Sequence, residues 1–289
     1  MDARRLAEGV SRHLERLHRL QPLVNPSVDT SGLAVVFTQM CGDIWVDDSG
    51  GSLHGHLSAR LLDDDNSGEI GAFSGPDAVT FESTGVLARL VDHAHSTWLS
   101  RGARFHSVWS PLEEFRAWTS LGYEPTALSL EREWGTWTSS QSPEGVTVRV
   151  ARTDDLLALQ DLDAEIDRAH HDAVDPSSRS RLVDLLEDPE VTYLVAEHEH
   201  RVIGQIAAWS LGALVGYFPE TLHLSDLAVA PPFRRRGVAA LLIREVVRQH
   251  SEDTRVVETR SRVINSGASA LWANLGFETA FVRLERTLR

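Results

Sequence analysis

The stretch Leu222-His-Leu-Ser-Asp-Leu-Ala-Val-Ala-Pro-Pro-Phe-Arg-Arg-Arg-Gly-Val-Ala-Ala-Leu-Leu-Ile243 decides how the chain is read. Leu222 to Val229 has strand composition, Pro231 and Pro232 break it, and Gly237-Val238-Ala239 forms the first turn of an apolar helix. A strand that runs through a small basic turn into a helix start presents unpaired backbone N–H groups and the positive end of a helix dipole. With Arg234, Arg235 and Arg236 in the turn, the expected ligand is a phosphate.

The strand carries a change of phase. Leu222 and Leu224 alternate on one face, whereas Leu227 and Val229 fit the other, so a bulge is expected near Asp226. His223 and Ser225 share a face two residues apart.

Outward from this stretch, the C-terminal part reads as strand, helix, strand: Arg255 to Arg260, Gly267 to Leu275 and Thr279 to Thr287. Before it come a strand at Val146 to Val150, helices at Asp154 to His170 and Ser178 to Leu186, and strands at Thr192 to Glu197 and Arg201 to Ala208. Gly135 to Gly145 is small, polar and aperiodic, the composition of a linker. The N-terminal part begins with an amphipathic helix from Leu6 to Leu20. A hairpin of Leu33 to Met40 with Ile44 to Val46 follows, then helices at Val86 to Leu99 and Leu112 to Leu121 around a strand at Arg104 to Trp109. A strand at Thr126 to Glu133 ends this part.

The two parts repeat. Trp118, Leu121-Gly122-Tyr123-Glu124 and Leu130-Glu131-Arg132 recur as Trp272, Leu275-Gly276-Phe277-Glu278 and Leu284-Glu285-Arg286, all at an offset of 154 residues. Gly85-Val86 precedes Gly237-Val238 by 152. One fold is expected twice: residues 1–134, a linker at 135–145, and residues 146–289.

Composition narrows the function. A net charge of −14 argues against nucleic acid and anionic membranes as partners, and mildly favours a cationic one such as an amine. Cys41 is the lone cysteine, so no internal disulfide forms and a cytoplasmic location is expected. No run approaches the roughly 20 apolar residues of a membrane span. His170-His171 lacks the i, i+4 spacing of a helical metal site, and no metal is expected.

Arg234-Arg235-Arg236-Gly237-Val238-Ala239 resembles the (Gln/Arg)-x-x-Gly-x-(Gly/Ala) signature of the GNAT superfamily of acyl-coenzyme-A-dependent N-acyltransferases. Asn265 to Phe277, with Ala268, Leu271, Trp272 and Gly276, resembles that family's Asn-x-x-Ala-x-x-Leu-Tyr-x-x-x-Gly-Phe segment. The resemblance implies an α/β fold of two tandem GNAT-like domains, each a twisted mixed sheet flanked by helices, similar to tandem members such as mycothiol synthase. It implies acetyl-CoA as co-substrate and a small-molecule amine as acceptor, with the protein a monomer or homodimer. Its cofactor residues are Leu227, Ala228, Val229, Arg234 to Ala239, Asn265, Ala268 and Trp272.

His223 falls where related acetyltransferases carry a glutamate or histidine base, and an unperturbed imidazole, titrating near about 6.5, suits that work. Ser225 and Tyr217 are candidate acceptor contacts, and the Leu227 N–H, freed by the bulge, is the candidate oxyanion donor. Trp272 stands where many members have a tyrosine that protonates the leaving thiolate, and an indole cannot do so. Tyr217 and Tyr193 are alternatives for that role. The rival reading is a non-catalytic acyl-CoA or amine-binding protein of the same fold. In the first half the turn reads Glu82-Ser-Thr-Gly-Val-Leu87, with an acid where a phosphate wants cations, and Pro111 stands opposite Asn265. Loss of cofactor binding is expected there.

Overall fold

A computed structural model describes residues 7–12, 15, 18, 43–48, 53–64, 68–76, 78–135, 143–171, 177–211, 221–250 and 254–289. Tyr217, the strand at Leu33 to Met40 and most of the opening helix lie outside them, although residues 7–12 are helical. The chain divides into two compact units. One gathers the described residues of Met1–Ser129 with Thr279–Arg289, and the other those of Leu130–Gly212 with Glu220–Glu278.

The first unit contains β1 (Asp43–Asp47), β2 (Gly55–Asp63), β3 (Ile70–Ser74), β4 (Val79–Phe81), α1 (Thr84–Ser100), β5 (Phe105–Pro111), α2 (Phe115–Ser120) and most of β6 (Glu124–Glu133). Ile44 to Val46 lies in β1, where Trp45 faces Leu57 on the antiparallel β2, and the hairpin expected with Leu33 to Met40 falls outside the described residues. β2 is buried on both faces, with Leu57 and Ala59 in the apolar core and His56 and Ser58 on the opposite side. His56 and Ser58 are buried, His56 bonded to the Thr80 hydroxyl at 2.8 Å. β3 and β5 run parallel through the α1 crossover, with Phe73 beside Ser107. Leu87, Ala94 and Trp98 on α1 and Trp118 on α2 are fully buried against this sheet.

The second unit contains the end of β6, then β7 (Val146–Val150), α3 (Leu156–His170), α4 (Ser178–Glu187), β8 (Thr192–His198), β9 (Arg201–Leu211), β10 (Thr221–Val229), α5 (Val238–Gln249), β11 (Val256–Arg262) and α6 (Ser266–Asn274). β7, β8, β9 and β10 are successively antiparallel, and β10 and β11 are parallel across the α5 crossover. The architecture is therefore mixed α/β, and the crossover pattern of the first unit recurs. The second unit's core is built from Leu159, Leu182, Tyr193, Val195 and Ala207.

Each unit is completed by a segment from the other half of the sequence. β12 (Glu278–Thr287) pairs antiparallel with β5, Leu284 facing Val108, and both side chains are fully buried. Reciprocally, Leu130 to Glu133 belongs to the second unit, where β6 adjoins β11. There Trp134 N–H donates to Arg255 O at 2.8 Å, and the Arg132 guanidinium donates to Leu275 O.

Candidate active site

β10 carries the expected irregularity. Ser225 faces Ala207 and Ala228 faces Gln205, so Asp226 and Leu227 stand opposite Ile206 alone. Two residues against one is a bulge, and Asp226 makes it by adopting φ +50°, in the left-handed region that side chains disfavour. Gly204 supports the close packing beyond it. A Cβ there would come within 3.1 Å of Ala228 O and 3.3 Å of Val238.

Upstream of the bulge the register brings three side chains side by side. His223 faces Trp209 on β9 and Glu258 on β11, with the imidazole and indole rings 4.6 Å apart. His223 Nδ1 and Glu258 Oε2 share a hydrogen bond, and both residues are buried. Burial acts to raise the Glu258 carboxyl, but the bond to His223 and the nearby Arg260 outweigh it and hold the group below its ordinary value. An ionised Glu258 can only accept, so Nδ1 carries the proton and the Nε2 lone pair is left for chemistry. Nε2 has no hydrogen-bond partner among the described residues.

Glu258 was not singled out from sequence. The signal was an acid between Val256-Val257 and Thr259 in an otherwise strand-forming run, but only the β10–β11 register shows whom it meets. Beside β11 lies β6, where Glu131 is 5% exposed. Burial, assisted by the charge of Glu258, pushes its carboxyl up to about 8.

Downstream of the bulge, Pro231–Phe233 forms a single 3-10 turn, Arg235 takes φ +59° and Gly237 φ +85° as the N-cap of α5. Glycine is needed there because the left-handed backbone places no Cβ in the way of an approaching ligand. No side chain caps α5, so its first N–H groups point outward unclaimed by a cap. Val238 is buried, Ala239 is half-buried, and Arg235 and Arg236 are exposed, with the Arg236 guanidinium 5.7 Å from the Phe233 ring centre. These are the features a pyrophosphate requires: free donors, a close backbone approach and available cations. Arg234 differs from its neighbours, because it donates to Val229 O at 2.8 Å and to Glu165 of α3 at 2.7 Å.

The other expected cofactor residues serve α6. Asn265 is its N-cap and accepts from Ala268 N–H at 3.0 Å. Trp272 is 4% exposed and packs edge-on to Phe277, ring centres 4.9 Å apart. Tyr193 is buried with a hydroxyl that lacks a hydrogen-bond partner among the described residues, and burial raises its pKa far above the ordinary phenol value. In the first unit, the turn before α1 is closed by its own residues. Ser83 caps the helix by accepting from Val86 N–H at 3.4 Å, and Glu82 pairs with His54 at 2.7 Å. A cavity of about 400 Å³ opens in that unit, lined by Leu62, Phe73, Ser74, Ser107, Trp109 and Arg283.

Residues 156–277 match the acetyltransferase (GNAT) family. This segment of the second half is a GNAT acetyltransferase domain. Over its whole length it is similar in fold to a GCN5-related N-acetyltransferase from Sphaerobacter thermophilus, with 16% identity, a TM-score of 0.66, and 100% of this chain and 93% of that one covered. A tandem GNAT protein from the clavulanic acid biosynthesis pathway shares 15% identity at a TM-score of 0.57, covering 98% and 95%. A GCN5-related N-acetyltransferase from Kribbella flavida shares 14% at 0.55, covering 99% and 95%. No curated protein matches the sequence. The tandem GNAT-like α/β fold read from the sequence is thus the fold of the chain.

Among the described residues no three His, Cys, Asp or Glu side chains converge as a metal site, and no helix is long and apolar enough to cross a membrane.

Proposed function

We propose that this protein is an N-acetyltransferase that moves the acetyl group of acetyl-CoA directly to the amine of a small molecule, at one site in residues 146–289. The observation that carries the reading is the run along β10 into α5. Within a single strand and turn lie an imidazole with Nε2 open, a bulge that frees backbone donors, and an uncapped helix start beside two exposed arginines.

The amine must reach the thioester as a free base. His223 Nε2 takes its proton, while Glu258 on Nδ1 fixes the tautomer and stabilises the imidazolium that forms. The nitrogen lone pair attacks the carbonyl carbon and a C–N bond forms. The developing oxyanion is held by Leu227 N–H, beside the bulge. The attacking nitrogen gives up its surplus proton to water, the C–S bond breaks, and the thiolate leaves, taking a proton from water in turn. The pyrophosphate rests on the α5 N-terminus, with Arg235 and Arg236 as its cations and Gly237 to Ala239 as its floor. Ser225, two residues from His223 on the same face, contacts the acceptor. Trp272 packs beneath α6 and moves no proton. The first half keeps the fold without a cofactor site, since Ser83 and Glu82 occupy the place a phosphate would take. The single cysteine and the charge of −14 support a cytoplasmic protein without a nucleic-acid partner.

Incubation with acetyl-CoA and a panel of amines, following free thiol, tests the reading. Amine-dependent thiol release is expected, with His223→Ala lowering the rate and removing the acidic limb of the pH profile. CoA binding without thiol release from any amine would sink the enzymatic reading and leave a binding protein. An unchanged pH profile would remove His223 as the base.

A further inference from the structure

The helices α3 and α4 reach the bulge through one guanidinium. Arg181 of α4 donates from one terminal nitrogen to Asp226 Oδ2 at 2.9 Å and from the other to Asp163 Oδ1 of α3 at 2.5 Å. Asp163 accepts in addition from the Ser178 hydroxyl at 2.5 Å. Asp163 is buried, and the side chains of Asp226 and Arg181 are 14% and 38% exposed. Burial acts to raise the Asp226 carboxyl, while Arg181 acts against it. Burial raises the nearby Tyr193 hydroxyl, and the charges of Asp226 and Asp163 act in the same direction.

This geometry does more than join helices to a sheet. Asp226 is the residue at φ +50°, the one that makes the bulge. A residue with a Cβ is disfavoured there, aspartate less than most, so contacts that hold its side chain help to keep it in place. The carboxylate tied to Arg181 is the tether the structure supplies. Only a planar fork can hold Asp163 and Asp226 from separate nitrogens, whereas a lysine offers a single point charge.

We propose that Arg181 is a positioning residue that holds Asp226 in its left-handed conformation, keeps the β10 bulge open, and thereby sets the Leu227 N–H that receives the acetyl oxygen. The kinetic half of this inference rests on the acyl-transfer reading, and the conformational half does not. Deleting Arg181 alone would strand two buried carboxylates and risk unfolding, so the test removes every charge at once.

Two triple variants of the full chain are compared, Asp163→Asn/Arg181→Met/Asp226→Gly and Asp163→Asn/Arg181→Met/Asp226→Ala. They differ by one methyl group, and only glycine takes a positive φ without help. The glycine variant is expected to stay within about threefold of the parent kcat. The alanine variant is expected to lose at least tenfold, against the roughly 10² to 10³ that deletion of an oxyanion donor costs. KM for acetyl-CoA should move little in either. Hydrogen exchange of the peptide covering 222–229 should match the parent in the glycine variant and rise in the alanine variant. Equal kcat and equal exchange in the two variants overturn the proposal. If the parent shows no acyl transfer, the transfer reading falls, and the exchange measurement alone decides the clamp.

Discussion

Replacing Glu131 by glutamine should make the protein more stable, and increasingly so as pH rises. Glu131 is 5% exposed on β6 and its carboxyl is raised to about 8 from an ordinary 4.5, first by burial and then by the charge of Glu258. A carboxyl raised in the folded state binds its proton more tightly there than in the unfolded chain. Its contribution is therefore fully present below about 4.5 and is lost as pH climbs through 8. At 1.36 kcal/mol per pH unit the rise to about 8 corresponds to roughly 5 kcal/mol, of which about 3 kcal/mol is already lost at pH 7. Glutamine keeps the shape and never ionises, so Glu131→Gln escapes this loss. Urea unfolding of parent and variant at pH 5, 7 and 8.5 checks it. The variant's advantage should grow by at least about 2 kcal/mol across the series, and shrink in a Glu258→Gln background, where one of the two causes is gone. Parallel stability curves for parent and Glu131→Gln would show that the carboxyl is ionised in the fold, and would refute the reasoning.

Arg235→Ala/Arg236→Ala should raise KM for acetyl-CoA about tenfold or more and leave kcat nearly unchanged if, as proposed, these cations meet the pyrophosphate and not the reacting atoms; steady-state kinetics at two salt concentrations measure it. Glu165→Gln releases Arg234 from its ion pair and should lower that KM, whereas an unchanged value would place Arg234 outside the phosphate site. Leu284→Ala should cost about 2–5 kcal/mol in chemical denaturation, because the residue is fully buried in the first unit although it comes from the last strand. A loss under 1 kcal/mol would contradict the pairing of β12 with β5.

The bulge at Asp226 was legible because a change of apolar phase within one strand is a local signal. So was the start of α5, through Pro231, Pro232 and Gly237. The role of Glu258 was not legible, because a parallel register is set by the α5 crossover and not by either strand's own composition. Arg181 was not singled out in the sequence, because one arginine on a charged helix carries no local signal, and only packing shows that its fork meets two buried acids. The exchange of final strands escaped for a different reason. β6 and β12 are copies at one offset, and the repeat pattern is the same whichever copy completes which unit.

The two copies differ in how they treat their polar groups, and the difference bears on where the chemistry lies. In the first unit one hydrogen-bonded chain ties Ser58, Ser74, His106, Tyr123 and His95 together, although the buried Trp98 and Trp118 indole N–H groups have no hydrogen-bond partner among the described residues. The Ser74 hydroxyl donates to Ser58 O at 2.6 Å, so His106 Nε2 must be the donor in its 2.9 Å bond to Ser74. His106 Nδ1 is then an acceptor and takes the Tyr123 hydroxyl proton at 2.6 Å, and Tyr123 oxygen in turn accepts from His95 Nε2 at 3.1 Å. Both histidines are accordingly neutral, with His95 lowered to about 4 by burial and Arg286, and His106 lowered by burial and His95. A chain with every proton committed stabilises a core but has none to exchange. In the second unit the equivalent crossover leaves an imidazole nitrogen open, a helix start uncapped and a strand bulged, three local costs with no structural return. Such costs persist where a ligand recovers them, which supports the proposal that binding and catalysis belong to residues 146–289 and not to the first copy.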